Sequence, residues 1–139
     1  MGVFNPDTDE VKLISFDDAT GLFSNLISIP TPGDNVYQFS ACEFSPDGSK
    51  FYWTNNNVSG PNIVPYDLFQ VDLSSGDSAT IAISIIKVGE SSPGFGFFRM
   101  QLAIDGKIYL CHTISSIPEL AVIQNPNAAG AACNFQLNG

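Results

Sequence analysis

Ser84-Ile85-Ile86-Lys87 has the Ser-x-x-Lys spacing of serine acyl-enzymes. That chemistry needs a helical turn, which carries the lysine amine to the serine hydroxyl. The stretch from Ala79 to Val88 instead alternates as a strand, which predicts opposite faces for Ser84 and Lys87. Gly94-Phe95-Gly96 lacks the further glycine and the following helix that phosphate binding requires, and no Gly-x-Ser-x-Gly elbow occurs. His112 is the single histidine, so no histidine cluster can form a transition-metal site, and it reads as a packed or rim side chain. Cys42, Cys111 and Cys133 have no CxxC spacing. Their odd number leaves at least one thiol unpaired, and they read as small hydrophobic side chains. Asp17, Asp18, Asp34, Asp47, Asp67, Asp72, Asp77 and Asp105 fall at predicted strand ends and turns. Such carboxylates suit Ca2+, but without EF-hand or nonapeptide spacing they read as turn caps. Asn57-Val58-Ser59 is a glycosylation sequon by spelling alone. The residues therefore assign no catalytic, cofactor-binding or metal site. The segment best suited to face a ligand is the polar loop from Asn55 to Pro65, led by Trp53, Asn55, Asn56 and Asn57, because long loops on a rigid scaffold carry function.

The elements that would position such a loop are organised by an echo. Cys42 to Thr54 and Met100 to Cys111 each read as an apolar run, an Asp-Gly, a lysine and a second apolar run with a tyrosine. Asp47 and Asp105 lie 58 residues apart (105 − 47), and Tyr52 and Tyr109 lie 57 apart (109 − 52), since Ser49 has no counterpart. Asp-Gly between two such runs is a hairpin signal, because both residues tolerate positive φ. The turns at Asp47-Gly48 and Asp105-Gly106 are thus structural. A second echo pairs Phe16–Gly21 with Val71–Gly76 at an offset of 55 (76 − 21). The unit is four strands in about 55 residues, a repeat architecture.

Both faces of these strands are apolar, which demands a layer on each side. Recurring four-stranded antiparallel units covered on both faces are β-propeller blades. The expected fold is therefore all-β with almost no helix: a polar tail over 1–10, then a partial propeller over 11–139. Its pieces are a half blade at 11–30, a full blade at 36–88 and most of a third at 97–137. That makes about two and a half blades, an incomplete ring where closure takes four to eight. The outer faces should then seek the missing blades or a second copy of the chain.

Bulk properties narrow the partners. Hydrophobic residues make up 44% and charged residues 14%, which argues against disorder. The net charge is −9, and the basic residues Lys12, Lys50, Lys87, Arg99 and Lys107 are scattered. Without a basic stripe, nucleic acid is an improbable partner. No apolar run approaches the ~20 residues of a membrane-spanning helix, so no membrane insertion is expected.

Phe44-Ser45-Pro46-Asp47-Gly48-Ser49-Lys50-Phe51-Tyr52 resembles the blade signature of TolB-like and YVTN-type bacterial β-propellers. Ile104 stands where that signature has proline in the second copy. Leu68–Gly76, Gln101–Tyr109 and Leu120–Phe135, with its Asn-Pro-Asn…Cys-Asn-Phe ending, resemble large exported surface proteins of Bacteroidota. The resemblance runs over about residues 11–137. It implies a propeller that precedes repeat domains and a gliding-motility-type secretion domain. It also implies an extracellular or outer-membrane location as part of a larger protein, although residues 1–10 do not read as a secretory signal. The function expected is non-enzymatic: a binding or spacer module for protein or glycan. The alternatives are a propeller hydrolase or lactonase with a carboxylate-bound divalent metal, for which only Glu43 stands mid-strand to line a channel, and a structural fragment without ligand.

Overall fold

The computed structural model describes residues 2–5, 10–31, 37–57, 65–112 and 119–139, and these form three open antiparallel sheets in chain order. Sheet 1 holds β1 (Gly2–Asn5), β2 (Glu10–Asp17) and β3 (Leu22–Pro30). Sheet 2 holds β4 (Tyr37–Phe44), β5 (Lys50–Asn57), β6 (Asp67–Asp72) and β7 (Ile86–Glu90). Sheet 3 holds β8 (Phe97–Leu102), β9 (Ile108–His112), β10 (Ala121–Ile123) and β11 (Phe135–Gln136). Each sheet is a meander, with every strand hydrogen-bonded to its chain neighbour.

Strand alternation explains the stacking. In sheet 2, Phe51, Trp53, Phe69 and Val71 project to one side and join Val11, Leu13 and Ile29 of sheet 1 in one core. Tyr52 and Leu68, one residue out of phase, project to the other side and meet Met100, Ile108, Leu110, Ala121 and Ile123 of sheet 3. Sheet 2 is thus covered on both faces, and this is why Phe51 to Trp53 of β5 and Leu68-Phe69 of β6 are apolar at consecutive positions. Each fully buried large side chain contributes about 1.5–3 kcal/mol. A ladder of rings adds to this on the sheet 1 side: Phe44–Phe51 at 4.9 Å, Phe51–Trp53 at 6.0 Å and Trp53–Phe69 at 5.4 Å between centroids.

Two hairpins show the echo. In β4–β5, Ser45 N donates to Lys50 O at 2.9 Å, and Gly48 N to Ser45 O at 2.9 Å. In β8–β9, Ala103 N donates to Lys107 O at 2.9 Å, and Gly106 N to Ala103 O at 3.0 Å. Gly48 and Gly106 have φ of +71° and +79°, values that favour glycine.

The structure departs from the sequence reading in two elements. Ala79 to Val88 is not one strand. Asp77 accepts hydrogen bonds from Thr80 N at 2.8 Å and Thr80 Oγ1 at 2.8 Å and caps helix α1 (Ser78–Ile83). Ile81, fully buried, pins that helix into the core shared with sheet 1, and the strand resumes only at Ile86. The segment read as a polar tail contains β1, whose Gly2–Asn5 pair with Leu13–Glu10 of β2.

Candidate functional site

The strands that open sheets 2 and 3, β4 and β8, are both sheet edges, and they lie side by side without sharing a sheet. Each carries a register shift at the corresponding place, between Phe39 and Ala41 in β4 and between Phe97 and Arg99 in β8. The extra residues are Ser40 and Phe98. Bulges of this kind bend an edge strand and re-aim its side chains. Here the two facing bulges open a cleft of about 530 Å3 lined by Ser40, Cys42, Phe98, Arg99, Met100 and Gln101.

Polar contacts fix the width of the cleft. Ser40 Oγ donates to Phe97 O at 2.7 Å. Leu102 N donates to Glu43 Oε2 at 3.0 Å, while Phe44 N donates to Glu43 Oε1 at 3.0 Å. The Glu43 carboxylate is therefore committed to backbone amides on both edges. Arg99 is exposed, and its guanidinium carbon stands 5.5 Å from the centre of the Phe98 ring, which is itself 58% exposed. Burial, followed by the Glu43 charge, pushes the Cys42 thiol above its ordinary pKa, so it is a poor nucleophile.

On the far side of the sheet 2–sheet 3 joint lies a buried polar network. Gln70 Nε2 donates to Tyr52 Oη at 2.6 Å and to Ala128 O at 2.7 Å, and Gln70 Oε1 accepts from Gly130 N at 2.7 Å. Tyr52 Oη donates to Pro126 O at 2.7 Å. Burial pushes the Tyr52 phenol well above its ordinary value, even though the Gln70 bond opposes the shift. The Asn-Pro-Asn…Cys ending of sheet 3 is thus laid on sheet 2 and held through its backbone. Its short helix Gly130–Cys133 and the ring of Phe135, seated on Gly89, complete the joint.

The residues singled out from sequence are scattered over this frame. Trp53, expected at a ligand-facing loop, is fully buried in the ring ladder, and its Nε1 has no hydrogen-bond partner. Asn55 is 2% exposed and pairs with Asp67 within the sheet. The backbones of Asn56 and Asn57 continue β5 opposite Gln38 and Tyr37. The strand therefore outlasts the expected start of the loop, because Asn55 to Asn57 still find partners in β4; residues 58–64 lie outside the described residues. Ser84 and Lys87 are kept apart. Ser84 Oγ donates to Ile81 O at 2.7 Å as it ends α1, whereas Lys87 Nζ pairs with Asp67 and Glu90, both at 2.6 Å.

His112 packs against Phe97 at 5.6 Å, and neither ring nitrogen has a partner. All three cysteines are free. The turn carboxylates cap backbone: Asp47 accepts from Ser49 N at 2.9 Å, Asp72 from Ser74 N at 2.9 Å and Asp105 from Lys107 N at 3.1 Å. All three lie below the ordinary aspartate value, Asp47 chiefly through the Ser49 amide, Asp72 through the Ser74 side chain ahead of its amide, and Asp105 through the Tyr109 hydroxyl ahead of the Lys107 amide. Among the described residues, no three His, Cys, Asp or Glu side chains group as metal ligands, and no helix is long and apolar enough to cross a membrane.

The cleft residues Ser40 and Gln101 were not singled out from sequence, and Arg99 counted there only as one of the scattered basic residues. Their one signal is the Phe97-Phe98 doublet, which breaks the alternation ahead of Met100.

Fold and site together define an all-β protein of stacked antiparallel meanders with a cleft between two strand edges. Comparison with protein families, curated proteins and solved structures finds no match for the chain.

Proposed function

We propose that this chain is a non-enzymatic segment of a β-propeller, belonging to an exported or cell-surface protein and serving to bind protein or glycan. The observation that carries the reading is the order of the sheets. Three meanders follow one another, the middle one is covered on both faces, and the opening strands β4 and β8 stand together as innermost strands of adjacent blades do.

The incompleteness of the ring has its own support. Glu43, Tyr52 and Gln70 form one cross-strand row, and each reaches from sheet 2 to sheet 3 or its loop. The corresponding row of sheet 3 is Gln101, Tyr109 and Val122. Of this row Gln101 is exposed, Tyr109 is half-buried with its Oη turned back onto its own turn at Asp105 Oδ2 (2.8 Å), and Val122 is buried against the chain's own Gly139. At the opposite end of the stack, Phe16, Leu22, Phe23 and Leu26 of sheet 1 are each more than half exposed. A further sheet, or another copy of the chain, would cover both ends.

Light scattering after size exclusion tests this reading. Association beyond the 14.9 kDa chain is expected, and it should be suppressed by Leu22→Ser with Leu26→Ser. A monomer of the chain mass that melts cooperatively would overturn the incomplete ring.

A further inference from the structure

We propose that the cleft between β4 and β8 takes an extended peptide segment whose carboxylate side chain pairs with Arg99. This deepens the binding reading and rests on it.

The first support is the backbone. Phe44 N and Leu102 N both point away from their hairpin partners, since each donates to Glu43. Antiparallel ladders alternate, so the N–H and C=O of Cys42 and Met100, two residues back, also turn to the free edges. A strand edge with unpaired amides is the template on which extended peptides add, through main-chain hydrogen bonds. Two such edges line one cleft here. They are bent open by matching bulges and do not satisfy each other within one sheet.

The second support is charge. The chain has fourteen carboxylate residues and only five lysines and arginines. Lys12, Lys50 and Lys87 each have an acidic partner within 3.9 Å. Lys107, outside the cleft, has none among the described residues, and neither has Arg99 within it. Its planar group is instead oriented by the Phe98 face, which leaves its fork of donors free for a carboxylate. Glu43, the nearby acid, is already satisfied by two backbone amides. The cleft therefore offers one cation and two rows of backbone groups. That pattern fits an extended peptide with an acidic residue better than a neutral glycan.

The test uses the full chain, with amide and arginine side-chain NMR signals as the readout. The probes are acetyl-Thr-Val-Asp-Val-Thr-amide, its Asn counterpart, acetate and glucuronate. The Asp peptide should shift the Cys42 and Met100 amides and bind about tenfold more tightly than the Asn peptide, the scale of one charge-assisted pair. Arg99→Gln, at an exposed position, should make the two peptides equal, and Arg99→Lys should restore part of the difference. Edge-amide shifts with an undiminished Asp preference in Arg99→Gln would overturn the role of Arg99 while leaving peptide binding intact. Acetate or glucuronate binding as tightly as the Asp peptide, without shifts at Cys42 and Met100, would assign the cleft to small acids or acidic glycans and overturn the peptide. Absence of any shift with all probes would remove the cleft as a binding site. None of these outcomes bears on the mass of the assembly, so the incomplete ring stands or falls separately.

Discussion

Replacing Gln70 by alanine should loosen the joint between sheets 2 and 3 without touching the hydrophobic contacts on either side. The side chain is 2% exposed and makes three hydrogen bonds of 2.6–2.7 Å, to Tyr52 Oη, Ala128 O and Gly130 N. At about 1 kcal/mol net per bond, their loss amounts to about 3 kcal/mol. The loop carbonyl of Ala128 and amide of Gly130 are only partly buried and can recover water. Tyr52 Oη, fully buried, keeps its bond to Pro126 O but loses a donor. An expected loss of about 2–4 kcal/mol follows, a large share of the 5–15 kcal/mol available to a domain. Urea denaturation followed by Trp53 fluorescence measures it. The midpoint should fall while the slope stays constant, because the surface exposed on unfolding is nearly unchanged. Hydrogen exchange at the Gly130 amide should accelerate more than exchange in β5. Gln70→Glu is the sharper control: its carboxylate can accept from Gly130 N but cannot donate to Ala128 O, so it should rescue only part of the loss. A Gln70→Ala variant that loses less than about 1 kcal/mol, with Gly130 exchange unchanged, would refute the claim that this side chain holds the loop.

Two further outcomes are expected. Gly48→Ala and Gly106→Ala should each cost about 1 kcal/mol from backbone strain alone, because φ is +71° and +79° and an added Cβ meets nothing within 4 Å; equal thermal shifts for the two variants check that the corners are alike, and an unchanged melting temperature in either would show that its glycine is not required. Stability should also fall in acid. Asp17, Asp47, Asp72, Asp77 and Asp105 all titrate below the ordinary 3.8, chiefly through bonds from the Thr20 hydroxyl, the Ser49 amide, the Ser74 side chain, the Thr80 amide and the Tyr109 hydroxyl respectively. A depressed folded-state value stabilises above the unfolded value and is lost as pH falls through the folded one. Urea midpoints should therefore hold near neutrality and decline below pH 3.8. A midpoint that stays flat through that range would show that these turn bonds do not hold the folded-state values below the unfolded ones.

Sheets, hairpins and the need for a layer on each face could be read from sequence, because they follow from local rules. Asp47-Gly48 and Asp105-Gly106 carry the φ preferences of their turns in their own residue types. Phe51 to Trp53 and Leu68 to Val71 show two apolar phases that only a doubly covered strand can bury. What escaped was decided at a distance. Ala79 to Ile83 alternates well enough for a strand, yet the Asp77 cap and the slot for Ile81 beside sheet 1 make it a helix. Asn55 looks like a loop residue, yet it lies inside a sheet because β4 and β6 extend to flank it. Gln70 gives no sign in sequence that its amide meets a loop some sixty residues on. The cleft is the clearest case: Ser40 and Arg99 are ordinary polar residues until two bulges, more than fifty residues apart, are set opposite each other. Local preference selects the strands and their corners. Which edges face each other, and what stands between them, depends on how the sheets stack, and that is a property of the whole chain.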